Sequence, residues 1–146
     1  MGPHAARACL LVACTNVVRL AAALPTGLGD AEALYAAYAR HPQGGYLDHP
    51  PLIGLLDRLV LAAWPSAFAL RLMAVLLFTL SAWLLFRLAR ALFDDRAALW
   101  SVAILCVAPV FHVGGLAAAP DAPLAPLWFA WLLAARRAWL AVDRSP

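Results

Sequence analysis

"AFALRLMAVLLFTLSAWLLF" runs from Ala67 to Phe86 and carries one charge, Arg71, a turn from its start. A helix needs about 20 mostly apolar residues to cross the hydrocarbon core of a bilayer. The run reads as a transmembrane helix, and three other stretches repeat the signal. They span about residues 5–24, 97–113 and 120–137. The last loses its apolar character after Ala135, where Arg136 and Arg137 begin, so it must borrow interfacial residues or snorkel its arginines. The first also fits a signal peptide, with Arg7 as basic flank and Ala21 to Ala23 near a cleavage site. Its length and the three runs behind it favour a span.

Composition agrees. The chain is 65% hydrophobic and 13% charged, with a mean hydropathy of +0.81, against about 45–50% apolar and about 25% charged in soluble domains. The net charge of +3 comes from arginine alone, as there is no lysine. Those arginines sit at the ends of apolar runs and form no basic face, which excludes nucleic acid as the partner. Cys9, Cys14 and Cys106 all fall inside apolar runs, without metal or redox spacing, and read as small buried hydrophobes.

The arginine bias orients the chain. Arg7, then Arg87, Arg90 and Arg96, then Arg136, Arg137 and Arg144 fall on one side if four spans alternate. That side is expected to be cytoplasmic. The loop over about residues 25–66 then faces outward with Asp30, Glu32, Asp48 and Asp57, and the short loop before the last span faces outward with Asp121. The expected fold is all-α. It is one polytopic membrane unit over residues 1–146, with about four transmembrane helices and two short interfacial helices in the first outer loop.

That loop reads "GDAEALYAAYARHPQGGYLDHPPL" from Gly29 to Leu52. Leu34, Tyr35 and Tyr38 recur at helical spacing, Asp30 suits the N-cap, and Pro42 to Gly45 breaks the helix. Leu52 to Trp64 is apolar but too short to span, which suits a helix lying on the membrane surface. Acidic residues at a helix start complement its dipole; Asp30 also fits a general base at the mouth of a membrane cavity, with Glu32 second. Asp48-His49 beside two prolines makes either a capping turn or a stiff site for a phosphate, a divalent cation or a sugar. Two ligands do not define a metal site, so no cofactor is assigned. Asp121, between Pro120 and Pro123, is either a helix start or a functional carboxylate at the membrane edge. Arg19 and Arg71 read as snorkelling arginines or as phosphate ligands. His112, on an apolar face, reads as a packing histidine.

The order of these pieces resembles a known family. The outer loop, then "RLMAVLLFTLSAWLLFRLARALFDDRAAL" from Arg71, then "VAPVFHVGGLAAAPDAPL" from Val107 is similar to the N-terminal part of the superfamily C membrane glycosyltransferases. The protein-mannosyltransferase and aminoarabinose-transferase group is nearest, and the likeness covers about residues 19–133. It implies transfer of a sugar from a polyprenyl-phosphate donor to a lipid, glycan or protein acceptor, outside the bacterial inner membrane. It implies that Asp30, Glu32 and Asp121 are catalytic. Tyr35, Asp48, His49, Arg19 and Arg71 are then substrate-binding. The family pattern places Asp and Glu side by side, whereas Ala31 separates Asp30 from Glu32 here. Members typically have many more spans and a C-terminal soluble domain, so the chain reads as an N-terminal portion lacking part of the donor site. The alternative is a non-catalytic membrane subunit or pseudoenzyme remnant. A small transporter fits less well, since polar residues are almost absent at mid-depth of the second and fourth runs.

Overall fold

A computed structural model describes residues 2–47 and 49–142. Among them there is no strand; the chain is α1 (Pro3–Ala23), α2 (Asp30–Arg40), α3 (Leu52–Ala63), α4 (Ala67–Leu92), α5 (Asp95–Val107), α6 (Pro109–Gly114) and α7 (Asp121–Val142). Of the described helices, α1 and α4 are long and apolar enough to cross a membrane.

α4 is the hub. It packs against α1, α5 and α7, while α2 lies on α3 and α3 on the start of α4. Ala8, Val12, Phe78, Ala82, Val102 and Cys106 form the buried seam where α1, α4 and α5 meet. Alanines and a cysteine there let the helix axes approach closely, and Phe78 fills the remaining space. The outward faces stay apolar, with Leu10, Val17, Leu76, Trp83, Trp100, Ile104, Leu127 and Trp131 exposed. Helices that are apolar all round suit a lipid surrounding or a larger apolar assembly.

Three local features depart from the sequence expectations. The run over 97–113 is not one helix. Ala108 is extended, at φ −62° and ψ 126°, and Pro109 opens α6. A proline disfavours helical backbone at the residue before it and has no N–H to continue the ladder. Second, Gly29 rather than Asp30 is the N-cap of α2, and Asp30 is its first helical residue. Third, α4 continues to Leu92, and the next helix begins only after Asp94, whose Oδ1 accepts the Ala97 N–H at 2.6 Å. α7 runs through an internal proline, Pro126.

Candidate functional site

The polar groups gather where α1 ends, α2 and α4 begin and the chain approaches α7. Glu32 is at their centre. It is three residues past the N-cap of α2, and its Oε2 accepts the Gly29 N–H at 2.9 Å, half of a capping box. Arg71 reaches it from the second turn of α4 with two parallel bonds, Nη2 to Oε2 at 2.7 Å and Nε to Oε1 at 3.1 Å. The Ala118 N–H donates to Oε1 at 3.2 Å. Both side chains are almost wholly buried. Burial works against the charge on Glu32, but the Arg71 hydrogen bonds, the Gly29 and Ala118 N–H groups and the Arg71 charge outweigh it. They hold the carboxylate below its usual range.

Arg71 has no donor to spare. Nη2 also donates to the Gly27 carbonyl at 2.7 Å, and Nη1 donates to the Thr26 carbonyl at 3.0 Å and to Thr26 Oγ1. With Nε and Nη2 on Glu32, all five N–H groups are engaged. One ion pair therefore ties together the loop after α1, the start of α2, the start of α4 and the segment before α7. Asp30 lies two residues before Glu32, and Asp121 three residues after Ala118. Each is exposed and is the first residue of its helix. The clamp thus anchors both N-termini that present the free carboxylates.

Arg19 is different. It is wholly buried near the end of α1, with its guanidinium 3.8 Å from the centre of the Phe78 ring. Nε donates to the His112 carbonyl at 3.2 Å and Nη1 to Asn16 Oδ1 at 3.2 Å, while Nη2 has no hydrogen-bond partner. No carboxylate is bonded to it among the described residues. Gly115 lets the chain after α6 lie against the same Phe78 ring: a Cβ there would stand 2.5 Å from Phe78 Cδ2.

The aromatic residues of the loop lock α2 onto α3. Tyr35 is buried one turn after Glu32; its ring stands edge-on to His49, with its hydroxyl 3.4 Å from His49 Nε2. The Tyr38 and Tyr46 rings stack at 3.7 Å, and the Tyr46 hydroxyl donates to the Tyr38 carbonyl at 2.9 Å. Gly54 is required beneath them, since a Cβ there would stand 3.0 Å from Tyr38 Cβ. Asp48 lies outside the described residues.

The family model described as dolichyl-phosphate-mannose-protein mannosyltransferase matches residues 48–144, more than half of the chain. The chain belongs to that family. Neither a curated protein nor a solved structure matches it. Membership of the mannosyltransferase family makes the chain part of a membrane-associated glycosyltransferase lineage. The matched segment holds His49, Asp57, Arg71 and Asp121, while Asp30 and Glu32 lie upstream of it.

Within this family member the structure sorts the expected site residues. Glu32, Arg71 and the helix starts of Asp30 and Asp121 belong to one cluster. Tyr35 and His49 pair with each other beside it, and Arg19 belongs to the α1–α4–α6 contact. His112 packs as expected, with Nδ1 3.5 Å from the Cys106 carbonyl, and its own carbonyl holds Arg19. Gly27 and Ala118 act through backbone atoms, and Thr26 through its carbonyl and its hydroxyl, none of which sequence spacing marks. Asp57 reads in the sequence only as an interruption of an apolar run, yet it is wholly buried. Among the described residues, no three His, Cys, Asp or Glu side chains could hold a metal ion. The divalent cation weighed in the sequence beside Asp48 and His49, and not assigned there, involves a residue outside that set.

Proposed function

We propose that the chain carries the outer-face catalytic elements of an inverting glycosyltransferase that uses a polyprenyl-phosphate-linked sugar. The observation that carries this reading is the Glu32–Arg71–Ala118 clamp. It presents two solvent-facing carboxylates, Asp30 and Asp121, at helix N-termini above a bundle whose outward faces are apolar.

In this reading α1, α4, the α5–α6 pair and α7 cross the bacterial inner membrane, with Arg87, Arg90, Arg96, Arg136 and Arg137 on the cytoplasmic side. α2 and α3 lie on the periplasmic surface. The donor's lipid stays in the bilayer and its sugar sits at the interface. An acceptor hydroxyl, on a lipid, glycan or protein, attacks the anomeric carbon as the bond to the phosphate oxygen breaks. Asp30 takes the hydroxyl proton, and polyprenyl phosphate leaves with the bonding pair. Asp121 orients the acceptor or the sugar hydroxyls. Arg19, a buried cation with no carboxylate bonded to it among the described residues, sets a positive potential for the departing phosphate, strengthened by its low-dielectric surroundings. Glu32 and Arg71 position the helix starts. Tyr35, His49 and Asp48 border the sugar.

The test is transfer of labelled sugar from a polyprenyl-phosphate donor in membranes holding the protein, against Asp30→Asn and Asp121→Asn variants expressed to the same level. Loss of general-base help is expected to slow transfer by about 10²–10⁴-fold in Asp30→Asn. Undiminished transfer in both variants would end this assignment. Absence of transfer by the unaltered protein would favour a non-catalytic membrane subunit.

A further inference from the structure

Asp57 sits in the middle of α3 with no exposed surface, and neither of its carboxylate oxygens has a hydrogen-bond partner. An ionised carboxylate in that position lacks both water and donors, a costly state that such a group escapes by taking up a proton. The surrounding charges do not rescue it. α3 packs on α2 and α4. The buried titratable groups on those helices are Glu32 and Tyr35 on α2 and Arg71 on α4, with Tyr38 half-buried. Asp30 and Arg40 on α2 and the adjacent Arg58 on α3 are exposed. Arg71 is the one buried cation among them, and its donors are all taken by Glu32, Thr26 and Gly27. Glu32 is an anion, so it opposes a second negative charge nearby.

We propose that Asp57 is a proton-bearing positioning residue: it stays protonated while α3 is docked, and ionising it pushes α3 away from Glu32 and loosens the clamp on Gly29 and Ala118. Burial, and then the charge of Glu32, lift the Asp57 carboxyl to about 7. The proton is a property of the fold alone. Its bearing on transfer rests on the proposed function, because Gly29 and Ala118 fix the helix starts that carry Asp30 and Asp121.

The sign of the pH effect follows from linkage. Between the ordinary value of 3.8 and about 7, the folded chain holds a proton that the unfolded chain has lost. Stability from this group is therefore fully present below that window, falls as pH rises through it, and is level above it. Asp57→Asn keeps the shape of the neutral acid and has nothing to ionise.

The experiment uses the full chain in detergent micelles. Infrared spectra are expected to show the C=O stretch of a carboxylic acid at about pH 6 that fades by about pH 8.5 and is missing in Asp57→Asn. In parallel, the unfolding temperature of Asp57→Asn is expected to rise relative to the unaltered chain as pH increases from about 4 to about 7, and the gap to stay constant above. An acid band unchanged by the substitution, or a gap that does not vary with pH, overturns the proposal. If Asp57→Asn does not fold, ¹³C-carboxyl NMR of the unaltered chain decides. One aspartate titrating near neutrality supports the proposal, and none overturns it. None of these readouts needs transfer, so an inactive Asp30→Asn bears on the proposed function alone.

Discussion

Arg19 and Arg71 are both buried arginines, one near the end of α1 and one near the start of α4. Arg71 has a carboxylate, two carbonyls and a hydroxyl on its five N–H groups; Arg19 has a carbonyl, an amide oxygen, a ring face and one nitrogen with nothing. The difference separates a cation that holds the fold from one that the fold must tolerate. Arg71 closes a four-segment junction. Arg19 is desolvated with no carboxylate bonded to it among the described residues, and the proposed function gives that charge an anion to meet.

The contrast breaks most easily at Glu32. Removing one member of a buried pair strands the other, so Arg71→Met or Glu32→Gln is expected to cost about 3–5 kcal/mol in denaturant unfolding of the micelle-bound chain. A loss in Arg71→Met no larger than in a surface variant would show that the junction is not structural. The same pair sets an acid limit. Because the folded Glu32 pKa lies below its usual 4.5, its stabilisation is present above that value and disappears as pH falls through the depressed one. Glu32→Gln should erase that acid limb of the stability profile and leave a smaller fall towards neutrality, since burial still raises the Asp57 carboxyl but the Glu32 charge no longer does.

Arg19→Met should move the other way. Replacing a buried charge by an apolar side chain of similar length is expected to be neutral or to stabilise by up to about 1–4 kcal/mol, while sugar transfer falls. A thermal melt as damaged as that of Arg71→Met would erase the distinction between the two arginines. Gly115→Ala sharpens it. The added methyl meets the Phe78 ring that faces Arg19, with an expected cost of about 1–3 kcal/mol in the same unfolding assay. Smallest is Asp94→Ala at the opposite end of α4. It removes the N-cap of α5, with a loss of about 1 kcal/mol and no change in transfer.

The helical class was readable because it depends on local pattern: long apolar runs, Pro and Gly breaks, and no alternation of period two. Pro109 even marked the break after Ala108, although hydropathy alone carried the run across it. Faces were not readable. In α3 the adjacent Asp57 and Arg58 interrupt an apolar run and mark one polar side, but nothing local shows that Asp57 is buried while Arg58 is exposed. Pairing was not readable either. Glu32 and Arg71 are far apart in sequence, and each has a plausible local duty, one at a helix start and one at a membrane edge. Position Asp30 shifted by one residue for a related reason. The Glu32 side chain takes up the Gly29 N–H, which makes Gly29 the boundary without any capping side chain of its own.

Pro126 gives α7 a mechanical asymmetry. Proline has no N–H to offer the carbonyl of Ala122, and its ring crowds that carbonyl, so the helix is most easily bent there. Yet Ala122, Pro123 and Pro126 are buried, whereas the described residues beyond Pro126 are half-buried or exposed, so the turn that bears Asp121 is the part of α7 seated deepest in the bundle. That turn is also tethered just ahead of its start by the Ala118 N–H on Glu32. Asp121 is thus mounted on a buried and tethered turn, with the weak point of the helix at Pro126 between it and the more exposed length of α7.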